Sequence, residues 1–303
     1  MKSLEEKPGQ FNNLGRRPGL RSLGVGGCAA STIRTLAHTL PLLLALALSL
    51  SAPFASSFAA DAPPAKDTKS TNEPPVLLLP IPLAVVSGSS NTLILRGQHL
   101  KDAFAVGWTG LTDPGPIHIL KREDAKVPDG STAAKAGDQQ LEIEFFLPST
   151  APAGTNAALV ATGPTGTRRN EPLPILILPA SQLIDEEEPN NGFKQAQPVA
   201  CGQTVRGTLP DATDVDVFKI TARSGHNLRF EVLASRVGST LDAALTLYDA
   251  KGAILSYNDD QVGRDPVITY KPTLDGDLYL ALTSVNEKSA TTHAYLLKVS
   301  ETP

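Results

Sequence analysis

From Val76 onward the apolar residues of this chain come in short runs, each stopped by Gly or Pro, and no long helical period appears among them. Of the chain's 24 Gly and 25 Pro, 18 and 17 lie in this stretch. A core can be built from such pieces only by pairing strands, so the expected fold class is all-β. The clearest strand is Leu141-Glu142-Ile143-Glu144-Phe145, where apolar and acidic residues alternate with the period of two of a half-buried strand. Similar runs lie at Leu93–Leu95, Phe104–Trp108, Ile117–Ile119, Ala157–Val160 and Ile175–Leu178. A second series follows at Val215–Ile220, Leu228–Val232, Leu245–Tyr248, Ile268–Tyr270, Leu278–Leu282 and Tyr295–Val299. Turn signals at Ser224-Gly225, Lys251-Gly252, Asn258-Asp259-Asp260 and Asp275-Gly276 separate the later runs. Two β-sandwiches in series account for both sets.

The first sixty residues follow another logic. Leu40–Leu50 is an apolar run of eleven residues, preceded by Arg16, Arg17, Arg21 and Arg34 and followed by Ser57-Phe58-Ala59. A bilayer span needs about 20 apolar residues, so a short run with a basic front and a small-residue exit reads as an export signal over residues 1–59. An uncleaved N-terminal anchor is the alternative. Arg16-Arg17 has Pro18 directly behind it, which departs from a twin-arginine signal, and the lipobox-like Val25–Cys28 precedes the apolar run. Residues 60–75, rich in Pro, Lys, Asp, Ser and Thr, read as a disordered tether. The expected organisation continues with an Ig-like sandwich over 76–178, a linker over 179–184 and a second sandwich over 185–303.

Charge and cysteine content narrow the function. The whole chain carries −4; residues 1–59 hold six basic and two acidic residues, so the remainder carries −8. An acidic chain without clustered Lys and Arg is not expected to bind nucleic acid. Cys201, the one Cys beyond the signal, cannot form a disulfide within the exported chain and reads as a small apolar residue or a free thiol. His99, His118, His226 and His293 show no zinc spacing, and the sequence has no Gly-x-Ser-x-Gly elbow, phosphate loop or dinucleotide fingerprint. The reading is therefore a non-catalytic protein. A hydrolase would announce itself instead as a cleft where one of the four His meets an acid and a Ser or Thr within hydrogen-bond reach.

Two resemblances sharpen this. The run Val86–Leu93 followed by Leu95-Arg96-Gly97-Gln98-His99-Leu100 resembles the first hairpin of Ig-like IPT/TIG domains. A longer match joins Glu186-Glu187-Glu188-Pro189-Asn190-Asn191, Gly207-Thr208-Leu209, Asp214–Phe218, Leu247–Gly252, Tyr257–Asp260 and Asp275–Leu280. These motifs, in this order, resemble the bacterial pre-peptidase C-terminal (PPC) domain, related to the collagen-binding modules of clostridial collagenases. Asp277 stands where the family often has Thr or Ser.

The PPC resemblance implies a jelly-roll appendage of secreted proteins that is not itself catalytic. In the collagen-binding relatives an acidic N-terminal segment binds calcium. Carried onto this chain, the implied ligands are Glu186, Glu188, Asn190, Asn191, Asp214 and Asp216. Their oxygens suit Ca²⁺, which takes six to eight. On the residues alone, a solvated linker at 186–188 and polar strand-edge aspartates explain the same positions. All five tyrosines fall at Tyr248, Tyr257, Tyr270, Tyr279 and Tyr295, where they serve either as a contact surface or as core-edge residues. The expected role is binding or adhesion to an extracellular polysaccharide or protein, in a secreted, periplasmic or surface location without a membrane span in the mature form. The alternatives are a secreted hydrolase or its accessory subunit, and a purely structural envelope protein.

Overall fold

In the computed structural model the described residues are 73–164, 171–286 and 290–303, and all of them fall in one compact unit, Lys66–Pro303. The expected export signal lies outside the described residues, as does the expected tether up to residue 72. Glu73, assigned to that tether, places its Oε2 3.1 Å from His99 Nε2. No helix among the described residues is long and apolar enough to cross a membrane.

The architecture is all-β: two β-sandwiches in series. The first uses β1 (Val76–Ile81), β2 (Ala84–Ser87), β3 (Ser89–Gln98), β4 (Ala105–Thr109), β5 (Ile117–Asp124), β6 (Gln139–Leu147), β7 (Gly154–Thr162) and β8 (Leu173–Pro179). One sheet has the order β1-β3-β6-β5 and the other β2-β8-β7-β4. The alternation in β6 does what its sequence suggests. Leu141, Ile143, Phe145 and Leu147 face a core shared with Leu93, Leu95, Leu159, Ile175 and Ile177. Trp108 packs edge-on against Phe145 at 5.0 Å between ring centres.

Among the described residues, ten strands build the second sandwich. They are β9 (Leu183–Asp185), β10 (Gln197–Pro198), β11 (Thr204–Thr208), β12 (Val215–Ala222), β13 (Asn227–Leu233), β14 (Ala243–Tyr248), β15 (Ile254–Asn258), β16 (Val267–Tyr270), β17 (Gly276–Ser284) and β18 (Ala294–Thr302). The sheets run β10-β12-β17-β14-β15 and β16-β13-β18-β11-β9. Phe218, Ile220, Phe230, Leu245, Leu280 and Leu297 lie in its core. Cys201 packs against this core, and burial pushes its thiol up from the ordinary range, with Glu301 adding to the shift. At the Lys251-Gly252 turn, Gly252 adopts φ +85, a conformation open to Gly at no steric cost.

The segment expected to be a free linker differs. Leu183 and Ile184 belong to β9, which pairs in parallel with β11. A further apolar cluster joins the two sandwiches. Leu79, Leu83 and Ala84 from the first pack with Leu183, Ala294 and Leu296 from the second. Each leucine hidden there contributes about 1.5–3 kcal/mol relative to exposure. Arg206 on β11 pairs with Asp185 and donates from Nη1 to the Ala84 carbonyl at 2.9 Å, so a polar tie crosses beside the apolar one.

Candidate metal centre

The acidic segment after β9 is fixed by backbone pairing before its side chains matter. Glu186 N–H donates to the Arg206 carbonyl at 3.0 Å, extending the β9–β11 ladder by one step. Gln197 then clasps the turn, accepting from Glu187 N–H at 3.0 Å and donating to the Asp185 carbonyl at 2.8 Å. The Asn190 carbonyl accepts from Val217 N–H at 3.0 Å, which ties the segment to β12. These bonds lay the segment across the mouth of the second sandwich.

Three carboxylates meet there. Glu186, Glu188 and Asp216 each present an oxygen within 4.8 Å of the others. Asp216 lies on β12 with the same side-chain parity as the core residues Phe218 and Ile220, and it is 0% exposed. This overturns the strand-edge reading of Asp216, because its carboxyl sits on the core face. Its Oδ2 accepts from the Tyr295 hydroxyl at 2.6 Å, while its Oδ1 has no hydrogen-bond partner. Asn190 is also fully buried. Its Nδ2 donates to Glu186 Oε1 at 3.3 Å and its backbone N–H to Glu188 Oε2 at 2.9 Å, but its Oδ1 is unpartnered. Glu186 Oε2 accepts from Thr208 N–H at 3.0 Å.

Gly207 makes the crowding possible. A Cβ at that position would lie 2.5 Å from Glu186 Oε2 and would also collide with the Tyr295 hydroxyl. The electrostatics follow from the packing. Burial pushes the Asp216 carboxyl up to about 9, and the neighbouring Glu186 adds to the shift. Burial also raises Asp214, with Glu188 and then Glu186 contributing. Tyr295 is driven well above its usual value, first by burial and then by Asp216.

Of the six residues named from sequence, Glu186, Glu188, Asn190 and Asp216 therefore share one pocket of oxygens. Asp214 flanks it and is coupled to it electrostatically. Asn191 is exposed and turns to the chain beside it: with its amide oriented to donate, it reaches Asp214 Oδ1 at 3.1 Å and the Val215 carbonyl at 2.9 Å. The donor set fits a hard divalent cation. It offers three carboxylates and an amide oxygen, and two of these oxygens, on Asp216 and Asn190, are buried without any donor.

Sequence reasoning missed Tyr295 as part of this site. Its place opposite Gly207 is a strand register that the structure alone reveals. The other tyrosines are placed differently. Tyr248 and Tyr279 pack on Phe193, at 5.2 and 4.6 Å between ring centres, and Tyr257 is exposed. Asn258 accepts from Val267 N–H at 2.9 Å and serves its turn.

The histidines can be set against the hydrolase test. His118 is exposed on β5, and His226 lies 3.1 Å from Glu301 Oε1. His293 shares a cleft with Asp242 and Ser284, yet His293 Nδ1 and Ser284 Oγ are both buried without a hydrogen-bond partner. The hydrogen-bonded relay of a Ser/His/Asp arrangement is not formed by these three.

No family model matches the chain. A probable subtilase-type serine protease of Deinococcus radiodurans is 38% identical over 106 residues, covering 34% of this chain and 15% of that protein. The chain thus corresponds to a small part of that relative's length. Among solved structures, the pre-peptidase C-terminal domain of a Bacillus anthracis collagenase is similar at 18% identity, covering 37% of this chain and all of that one, with a TM-score of 0.30. The secreted serine protease VesC of Vibrio cholerae is similar at 13% identity over 73% of this chain and 48% of that one, with a TM-score of 0.27. The collagenase structure bears the same family name as the resemblance read from the sequence.

Proposed function

We propose that this chain is an exported, non-catalytic binding protein in which Ca²⁺ locks the acidic hinge at 185–191 onto the second sandwich. The observation that carries this reading is the pair of orphaned buried oxygens, Asp216 Oδ1 and Asn190 Oδ1, beside the carboxylates of Glu186 and Glu188. A buried carboxylate crowded by two others either keeps a proton, as the raised Asp216 does, or needs a cation to hold its charge. Glu186, Glu188, Asn190 and Asp216 would hold the ion, with Asp214 adding negative charge at its edge. Bound Ca²⁺ supplies positive charge and oxygen coordination. Because β9 and Arg206 lead directly from this hinge to the inter-sandwich cluster, the ion also fixes how both sandwiches face an extracellular polymer or protein.

The test is titration of the full-length chain with Ca²⁺ by calorimetry, with melting temperatures in Ca²⁺ and in chelator. Wild type should take up heat-detectable Ca²⁺ and melt higher with it, and Glu188→Ala combined with Asp216→Ala should do neither. Glu188→Gln, at an exposed position, keeps the test valid if the double variant folds poorly. A wild type indifferent to Ca²⁺ in both measurements overturns the reading.

A second reading, an accessory segment of a secreted protease, is favoured by the 38% identity to part of a subtilase-type enzyme. It predicts that the chain associates with a co-produced protease and has no hydrolytic activity alone. Casein hydrolysis by the purified chain would contradict both readings.

A further inference from the structure

A cleft of about 400 Å³ opens between the two sandwiches, away from the acidic hinge. Asp129 and Ser131 contribute to one wall, and Asp242, Ser284, Asn286 and His293 to the other. The first wall is held in shape from behind. Buried Arg96 donates to the carbonyls of Lys126 at 2.7 Å, Ala136 at 3.2 Å and Gly137 at 2.8 Å, so the loop between β5 and β6 is pinned at both ends. The cleft's edge is closed by a direct approach of the two backbones: a Cβ on Gly238 would lie 2.7 Å from the Leu78 carbonyl oxygen. The cavity is thus built by the fold and does not depend on exposed loops alone.

Its lining is mostly polar. The hydroxyls of Ser239 and Thr240 are already engaged, with the Thr292 carbonyl and the Thr292 hydroxyl respectively. Two groups are not: His293 Nδ1 and Ser284 Oγ, in residues 5% and 9% exposed, have no partner. Buried polar groups are rarely left so. Asp242 Oδ2 is bridged by Arg264 at 2.8 Å and by Asn286 Nδ2 at 2.9 Å, which leaves little free charge to attract an anion. Lys135 and Asp129 put opposite charges on the same wall. Ser, Thr, Asn and Gly in place of apolar side chains disfavour a lipid, a nucleobase or an apolar peptide side chain. Both orphan atoms are themselves closed to solvent, so a small side-chain rotation must turn them into the cleft, after which a ligand hydroxyl can donate to one and accept from the other.

We propose that this inter-sandwich cleft is a binding subsite for a neutral saccharide unit, with Ser284 and His293 reading one hydroxyl and the Asn286–Asp242 pair reading its neighbours. The site is separate from the proposed cation centre, and its test is run in chelator so that failure of one reading leaves the other standing.

The full-length chain is screened on a glycan array in EDTA, and retained glycans are titrated by calorimetry against wild type, Ser284→Ala and Asn286→Ala. The expected result is retention of at least one glycan, weakened about tenfold by Ser284→Ala, as loss of one buried hydrogen bond implies, and to a smaller extent by Asn286→Ala, with melting temperature unchanged. Inorganic phosphate and a Gly-Ser-Gly tripeptide should not compete. Three outcomes overturn the proposal: no glycan retained, retention undiminished in both variants, or competition by phosphate or peptide. Asn286 is exposed, so its variant stays informative if Ser284→Ala is destabilised.

Discussion

The Tyr295 hydroxyl donates to Asp216 Oδ2 at 2.6 Å, joining β18 of one sheet to β12 of the sheet facing it. The bond leaves the other Asp216 oxygen free to face Glu186 and Glu188. Tyr295 thereby acts as a positioning residue for the acidic centre, and its own burial is the reason the bond excludes water.

Tyr295→Phe should leave both Asp216 oxygens without a donor. The expected cost is about 1–3 kcal/mol of stability in chelator, read from urea unfolding midpoints. Saturating Ca²⁺ should recover part of that loss. A variant as stable as wild type in chelator would show that the hydroxyl contributes nothing.

Gly207→Ala tests the close approach of β11 to the same centre. The added methyl must displace either the Tyr295 ring or the Glu186 carboxylate, so Ca²⁺ affinity should fall while Gly276→Ala, where nothing lies within 4 Å, leaves it unchanged. Calorimetric titration of both variants decides it. Equal affinities would mean the backbone shifts freely at Gly207.

Ligand linkage gives the size of the calcium effect. At a free Ca²⁺ concentration 100 times the Kd, the fold should gain about 2.7 kcal/mol over its chelated form. The comparison is of urea midpoints with and without EDTA, and Mg²⁺ at the same ratio to the Ca²⁺ Kd should give less, because it favours a tighter octahedron.

His293 supplies a pH dependence. Burial holds its imidazole below the ordinary 6.5, with the Leu209 backbone offsetting part of the shift. The unfolded chain therefore takes up a proton before the folded one does. Stability from this group is fully present above about 6.5 and is lost as pH falls below it. Asp129, Asp242, Lys135 and Arg264 share the cleft with it, but burial and the Leu209 backbone are what set its shift. Unfolding midpoints at pH 7.5 and pH 5.0 should differ less in His293→Gln than in wild type, and an unaltered difference would remove His293 as its source.

Asp265 is fully buried and accepts from the backbone N–H groups of Ala234, Ser235 and Arg236 and from the Arg236 guanidinium at 2.8 Å. Asp265→Ala strips four donors at once. About 3–5 kcal/mol should be lost, measurable by urea unfolding, with Asp265→Asn recovering only a part.

How far the sequence carried this description depends on the range of the signal. The β6 alternation and the Gly252 turn are local, and both appear where the residues place them. The acid pattern at 186–188 and 214–216 was visible too, because Glu186 and Glu188 are two residues apart. What gathers them is long-range. Tyr295 lies 79 residues from Asp216, and no window of sequence contains both. β9 is three residues long, too short for a period of two to register, and takes its identity from β11. The unbroken apolar run at Tyr295-Leu296-Leu297 was the overlooked clue. A strand buried on one face alternates, whereas β18 is covered on both.

That double cover sets a limit on portability. Tyr295 and Leu297 point into the second sandwich, while Ala294 and Leu296 point out to Leu79, Leu83 and Ala84. Excising the second sandwich at the connection near Gln182 would bare an oily stripe on its own surface, the kind of patch that promotes self-association. The stretch from Val76 to Pro303 is better cloned, transplanted or fused as a single cassette than as two modules.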